Sequence, residues 1–479
     1  MREDIRVGEA AALRLAEGAA LSDVLDAGEP MAWLRLDEGF RCCWSYRLPP
    51  ERLPTLTEVD GRRPWLTALT ESRLALALCH RDGRVREAAL GRAVGCPGLW
   101  PLVVVRTADW VLPVRERARE VLRAVLDPET AVRLAPLILL GARRGRGVFA
   151  VDLLDDVLRR APSERLAPLF TDADRGVRRY AYRLAVDEGR LSPAELARAA
   201  ARDTDPVVQN LCAEAALAGL PESDAAGGPD TGVLDALLGA RGPRVRSAGV
   251  TALRRAGQGE RAEEFLPDRS GLVRACARYV VRQSGGDPRA WYRQRCAGPD
   301  DPALPPGAVA GLAECGVRAD AELLWPLLGH PAAGVRARAV AGLRTLDVTD
   351  VRRLRALLDD PEPGVVREVT SALLPFVRSL DTGRLAERLG DGSPRHARVA
   401  AFRLLDAYGG LVRLRAAVAL LGDPDVRLRA WAAHSVRSWS PAPDARRGSA
   451  EVGELLGRAQ HLLGESALRM PMWEAGITR

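Results

Sequence analysis

The chain is 479 residues long, 47% apolar and 5% aromatic, with a formal net charge of +7. All 70 basic residues are arginine, as codon bias in a GC-rich bacterial genome would give. A lysine-free chain excludes Schiff-base lysines, phosphate-loop lysines and Ser-Lys pairs, and so mild a positive excess permits an acidic partner without demanding one.

Met1 to Asp26 carries acids throughout and lacks the apolar stretch of a secretory signal. No apolar run approaches the roughly 18 residues of a membrane span. The eight cysteines are scattered, several of them at apolar helix positions, which suits buried thiols in a reducing cytoplasm.

The first stretch, 1–62, reads as an N-terminal capping region. Within it, residues 32–48 (AWLRLDEGFRCCWSYRL) suit a helix pair or a hairpin turning at Asp37-Glu38-Gly39, and residues 48–56 a helix start with proline in the first turn. From 63 to 440 a cassette repeats: a turn rich in Asp, Gly and Pro, then Val-Arg, small residues and Leu. The stretch 327–346 (LLGHPAAGVRARAVAGLRTL) is a clear copy, with Val335, Ala339 and Leu343 on one helical face.

The anchor valines are Val85, Val114, Val177, Val208, Val245, Val273, Val335, Val366 and Val426, with His396 where another would fall. Two gaps are double length; Val148 fills one and the segment Leu304–Leu312 the other. From Val85 to Val426 is 341 residues over 11 intervals, a period of about 31. Each unit is expected to hold two helices of about 10–13 residues, neither able to bury its apolar stripe alone. The loop-like stretches 220–232 and 297–307 are candidate bends. The segment 441–479 reads as a linker, a capping helix from Ser449 to Gly464, and a free tail.

The recurring acid-turn, Val-Arg and Leu pattern resembles the HEAT-repeat family, in particular its short phycobilisome-lyase type, over about residues 60–460. That name implies no bilin chemistry here. The resemblance implies an all-α fold, an α-α superhelix or HEAT-like solenoid of about 12–13 two-helix repeats. It also implies that Arg86, Arg115, Arg178, Arg246, Arg274, Arg336, Arg367 and Arg427 are struts. They would reach turn acids of the same or the next unit: Asp82, Asp109, Asp174, Asp268, Asp360 and Asp423. Gln209 and Ala397 replace the arginine at two joints.

In such arrays the Val-Arg helix lines the concave face. Three residues beyond the valine the side chain leaves the core stripe, which singles out Arg117, Tyr180, Arg338 and Arg429. Arg143, Arg144 and Arg146 on a Gly-flexed loop, with Tyr182 nearby, complete the candidate binding residues for a partner or a nucleic acid.

The same fold underlies the alkylpurine DNA glycosylases, to which Asp109-Trp110 bears a local likeness, although Asp109 also suits a turn cap. No GxSxG elbow, CxxC pair or HExxH motif occurs, and none of the five histidines precedes a glutamate. Cys42-Cys43, Cys79-His80 and Cys96 read as buried thiols rather than a zinc site. The sequence therefore predicts a non-catalytic cytoplasmic scaffold without metal or cofactor. It would bind a partner protein or peptide on the concave face, an acidic surface being favoured. The alternative is a nucleic-acid-binding solenoid, at its furthest a glycosylase-like repair protein.

Overall fold

Helix follows helix along the chain in the computed structural model, which describes residues 2–43, 52–60, 69–142, 147–219, 231–442 and 448–477. Among them there is no strand, and no helix is long and apolar enough to cross a membrane. They fall into two compact units that divide between Val245 and Arg246. The expected bend at 220–232 lies almost wholly outside the described residues, as does the segment 44–51.

The second helix of each repeat is the regular one. Gly83–Ala93 is typical: Val85, Ala89, Leu90 and Ala93 are buried on one stripe, and Asp82 caps the start by accepting from the Arg84 N–H at 2.9 Å. The same Asx cap recurs at Asp174, Asp205 and Asp425. First helices depart from the expected length. Glu71–Leu78 is continuous, but Ala167–Phe170, Ala321–Leu324 and Val351–Arg355 are single turns joined to 3₁₀ segments. Pro168 and Pro326 sit in two of these runs, where the missing N–H breaks the α-helical ladder.

Second helices stack on one another within a unit. In the first, Gly83–Ala93 packs on Leu112–Val125; in the second, Ala333–Thr345 packs between Pro306–Cys315 and Pro363–Leu373. Pro306–Cys315 is the degenerate repeat expected near residue 305, buried from Gly307 to Ala313. A Cβ at Gly307 would stand 1.9 Å from the Pro267 carbonyl oxygen, so only glycine permits this approach. The other degenerate unit differs from expectation. Val148 is 63% exposed, and the buried stripe of Val148–Arg160 is Ala150, Leu154 and Leu158.

The joints between repeats share one construction. Arg336 donates from Nη1 to the His330 and Pro331 carbonyls of its own turn, both at 2.9 Å. Its Nε and Nη2 reach the Asp360 carboxylate of the following turn at 2.8 and 2.9 Å. Arg86 with Asp109, Arg178 with Asp203, and Arg246 with Asp268 make the same bidentate pair. At Arg86, Arg178 and Arg336 the arginine sits six residues after a turn residue whose own side chain accepts the N–H two positions on; Arg246 follows Ala240 in that place. Burial pushes the Asp360 carboxyl up, but Arg336 and the Glu362 N–H outweigh it and hold it below the usual carboxylate range.

Several expected struts move. Arg427 is exposed beside an exposed Val426, whereas Leu428 is buried and Arg429 donates to the Asp423 and Pro424 carbonyls. The anchor pair there is Leu428-Arg429. One repeat earlier it is Ala397-Arg398, with Arg398 paired to Asp423 at 3.0 Å. In Pro363–Leu373 the anchor is Val365, the strut position is taken by Val366, and the Arg367 side chain is 70% exposed. Asp82 and Asp174 serve as helix caps, and Asp203 joins the acids that receive a strut. Gln209 keeps one bond, to the Asp203 carbonyl at 2.6 Å. Arg274 reaches 40 residues ahead to Glu314 instead of the Asp301 turn, where Asp301 accepts from the Ala303 N–H at 2.9 Å.

Two histidines take the turn acid's place. His80 and His330 each accept through Nδ1 from the N–H two residues on, at 3.0 Å, where the turns at Asp109, Asp172, Asp268, Asp360 and Asp423 use an aspartate. His330 also reaches back through Nε2 to the Asp301 carbonyl at 3.0 Å. A neutral imidazole is buried at such a turn at lower cost than an unpaired carboxylate. Burial pushes the His80 imidazole down, in keeping with the neutral form.

The two ends also carry findings. Helix Pro30–Cys43 is continuous, with no turn at 37–39. It crosses Arg2–Ala16 at Gly8 and Gly39, so close that a Cβ on Gly39 would lie 2.2 Å from the Gly8 backbone. At the other end Ala450–Leu463 forms as expected. The tail beyond it is packed, with Leu468 and Ala475 buried and Ala475 accepting from the Gly448 N–H.

Candidate functional site

In the first unit a cavity of about 320 Å³ lies between Pro30–Cys43, the end of Trp100–Arg106, Pro128–Gly141 and the start of Val148–Arg160. Leu34, Val104, Leu137, Ile138 and Ala150 give it an apolar lining; Asp37, Arg41, Arg106, Asp109 and Trp110 give it a polar one. The strut at the first clear joint feeds directly into it. Arg86 and Asp109 are fully buried, with Arg86 Nε on Oδ2 at 3.0 Å and Nη2 on Oδ1 at 2.9 Å. Arg106 adds Nη1 to Oδ2 at 2.8 Å, and the Val111 N–H adds a bond to Oδ1 at 2.9 Å.

Arg106 also pairs with Asp37, which accepts from Arg41 Nε at 3.2 Å. Three arginines and two aspartates thus form one network, buried except at the half-exposed Arg41. Burial pushes the Asp109 carboxyl up; the Arg86 bonds, the Arg106 charge and the Val111 N–H outweigh it and leave it below the usual range. With four donors on its two oxygens, Asp109 has no lone pair left for a substrate proton. Cys79 is buried beside the same network, where burial and the Asp37 charge push its thiol up, so it is not a ready nucleophile. Trp110 is different in kind: it is 65% exposed, with the Arg86 guanidinium 5.8 Å from its ring centroid.

The residues singled out from the sequence do not converge. Arg117 is exposed and paired with Glu120 at 2.9 Å. The Tyr180 hydroxyl donates to Asp155 at 3.2 Å, and burial together with that carboxylate pushes its pKa up. Tyr182 stacks on Phe170 with ring centroids 4.7 Å apart, and burial pushes it up to about 12. Arg338 is exposed. Arg429 is held by its turn carbonyls. Arg143, Arg144 and Arg146 lie outside the described residues. Among the described residues no group of three His, Cys, Asp or Glu side chains is placed to hold a metal ion.

Sequence reasoning missed Asp37, Arg41 and Arg106. The signals were present: Asp37 and Arg41 are four apart on one helix, and Arg106 ends the apolar run VVVR three residues before an aspartate.

No protein-family model and no curated protein matches the chain. Solved structures similar to it include Kap121p, at 11% identity and a TM-score of 0.31, covering 97% of this chain and 54% of that one. Kap121p bound to Pho4p matches at 11% identity and a TM-score of 0.30, covering 97% and 55%. A TOG-domain array of a tubulin-recruiting microtubule polymerase matches at 11% and 0.23, covering 75% of this chain and 98% of that one. The chain thus spans about half the length of Kap121p. At these scores the likeness carries no weight for function, and the assignment to a HEAT-like helical-repeat fold rests on the helix pairs and strut joints described above.

Proposed function

We propose that this protein is a non-catalytic cytoplasmic scaffold of the short HEAT-like type, which holds a partner protein or peptide against its stacked second helices. The observation that carries this reading is the cavity at Trp110. It offers an exposed aromatic side chain beside a pocket whose titratable groups are locked in arginine-carboxylate pairs. Such a place can grip a ligand and has no acid or base to act on it. Trp110 and Arg117 in the first unit and Arg338 in the second are the contact residues we assign, and the net charge of +7 favours a partner with an acidic surface.

A phosphate-backbone partner is less well supported. Surface arginines alternate with acids that hold them: the exposed Arg159 with Asp155 and Arg415 with Glu451, and the half-buried Arg388 with Asp359. That interspersion breaks up the positive stripe a nucleic acid would follow.

A photo-crosslinking residue placed at position 110, and separately at 338, tests the reading in cells. The expected result is a discrete protein adduct that is lost when the same cells carry excess wild-type protein. Absence of any protein adduct, together with oligonucleotide binding that collapses steeply with salt, would transfer the assignment to nucleic acid.

A further inference from the structure

The cavity at Trp110 carries an inference that goes beyond the scaffold reading and rests on the same site. We propose that it is a binding site for a monocarboxylate borne on an apolar body, such as an aryl or alkyl carboxylic acid or the terminal carboxylate of a peptide ending in an apolar residue.

Three features of the cavity point to an anion. First, its charges do not cancel. Arg41 and Arg106 line it with Asp37 and Asp109, and Arg86, fully buried behind Asp109 and outside the lining, adds a third positive group to the network, three against two. Second, donors are left over. Arg106 is 1% exposed and lines the cavity, yet its Nε has no hydrogen-bond partner. An unmet guanidinium N–H in so buried a place is costly unless a ligand acceptor meets it. Third, the 13-residue helix Val148–Arg160 starts at the cavity, where Gly147 and Ala150 line it, and no side chain caps that start.

The sum selects the kind of anion. One surplus positive charge is neutralised by one negative charge. A carboxylate supplies that; a phosphate monoester near neutral pH would bring close to two and leave the network net negative against two fixed aspartates. Arg86 and Arg106 spend their forks on Asp109 and Asp37, so the carboxylate takes one bond from Arg106 Nε and a second from the half-exposed Arg41. The apolar lining of Leu34, Val104, Leu137 and Ile138 then takes the body of the ligand, and Trp110 covers it. The cavity volume of about 320 Å³ has room for an aromatic or branched aliphatic group.

Calorimetric titration of the full chain tests this with matched pairs: phenylacetate against phenylacetamide, phenylacetate against phenyl phosphate, and a short peptide ending in phenylalanine as the free acid against its amide. At least one acid is expected to bind with one-to-one stoichiometry and to lose about tenfold or more in affinity on amidation. Ala108→Phe, at a half-buried lining position, fills the cavity from its edge and should abolish that binding. Arg41→Gln, which removes the surplus charge, should weaken it by a similar factor to amidation. Preference for the peptide acid identifies a chain terminus as the source; equal affinity for phenylacetate identifies a small acid. Equal binding of acid and amide, tighter binding of phenyl phosphate, no binding of any acid, or affinities unchanged in both Arg41→Gln and Trp110→Ala would each overturn the proposal. Those last two variants touch exposed or half-exposed side chains, so the test stands even where Ala108→Phe does not fold.

Discussion

The Arg86 joint and the Arg336 joint use one device in two settings. Both arginines clasp two carbonyls of their own turn and fork onto the aspartate of the next. At Arg336 the device ends there, with the side chain 12% exposed. At Arg86 the same aspartate is shared with Arg106, which recruits Asp37 and Arg41 from a helix near the N-terminus, and the pair is fully buried. A joint becomes a ligand-sized cavity when a second guanidinium is brought to the carboxylate it already uses. The repeat supplies the anchor, and the departure from the repeat supplies the chemistry.

The sharpest way to break this comparison is to remove each arginine in turn. Arg86→Ala strands Asp109 in a buried network and should cost about 3–5 kcal/mol, read as early urea unfolding of the first unit. Arg336→Ala leaves Asp360 nearer to solvent and should cost about 1–3 kcal/mol. If the two variants unfold alike, burial is not what separates the joints. At the last cassette, Arg429→Ala should cost about 1 kcal/mol while Arg427→Ala stays within about 0.5. A reversed order would restore the Val426-Arg427 register.

The acid limb gives a smaller effect. Asp109 and Asp360 are both held below their ordinary range, so their stabilisation is present above about pH 4 and is lost as pH falls through their lower folded values. Asp360→Asn should flatten the acid unfolding limb of the second unit. The smallest effect belongs to His80. Its folded pKa is depressed, so the unfolded chain binds the extra proton, and stability declines as pH drops below about 6.5. His80→Asn keeps an acceptor at the turn and should remove that slope; an unchanged slope would place the titration elsewhere.

Much of the helical architecture was legible in the sequence because a stacked array forces a period. Val335, Ala339 and Leu343 are buried as the spacing predicts. Register at Val366, His396 and Val426 departs from the Val-Arg cue. The geometry instead counts six residues from the turn residue to the strut: His330 to Arg336, Asp172 to Arg178, Asp423 to Arg429. PDVRLRAWA offers two such dipeptides, and the valine cue picks the exposed one. The cavity was illegible for another reason. Asp37, Arg41 and Arg106 belong to no repeat position, and the contacts joining them span about seventy residues of sequence. Asp109-Trp110 did fall at the cavity, yet its carboxylate is spent on four donors.

The two turn histidines have a consequence for how such a chain changes length. A strut commits each repeat to the one after it, because an arginine without an arriving carboxylate, or a carboxylate without its arginine, is left buried and unpaired. Whole repeats can therefore be excised or duplicated only between matched ends. His80 and His330 accept the turn N–H through a ring, and the link that His330 makes to the preceding repeat is to a backbone carbonyl, that of Asp301. Such turns are natural seams of the array, places where one block of repeats can be exchanged for another without stranding a charge.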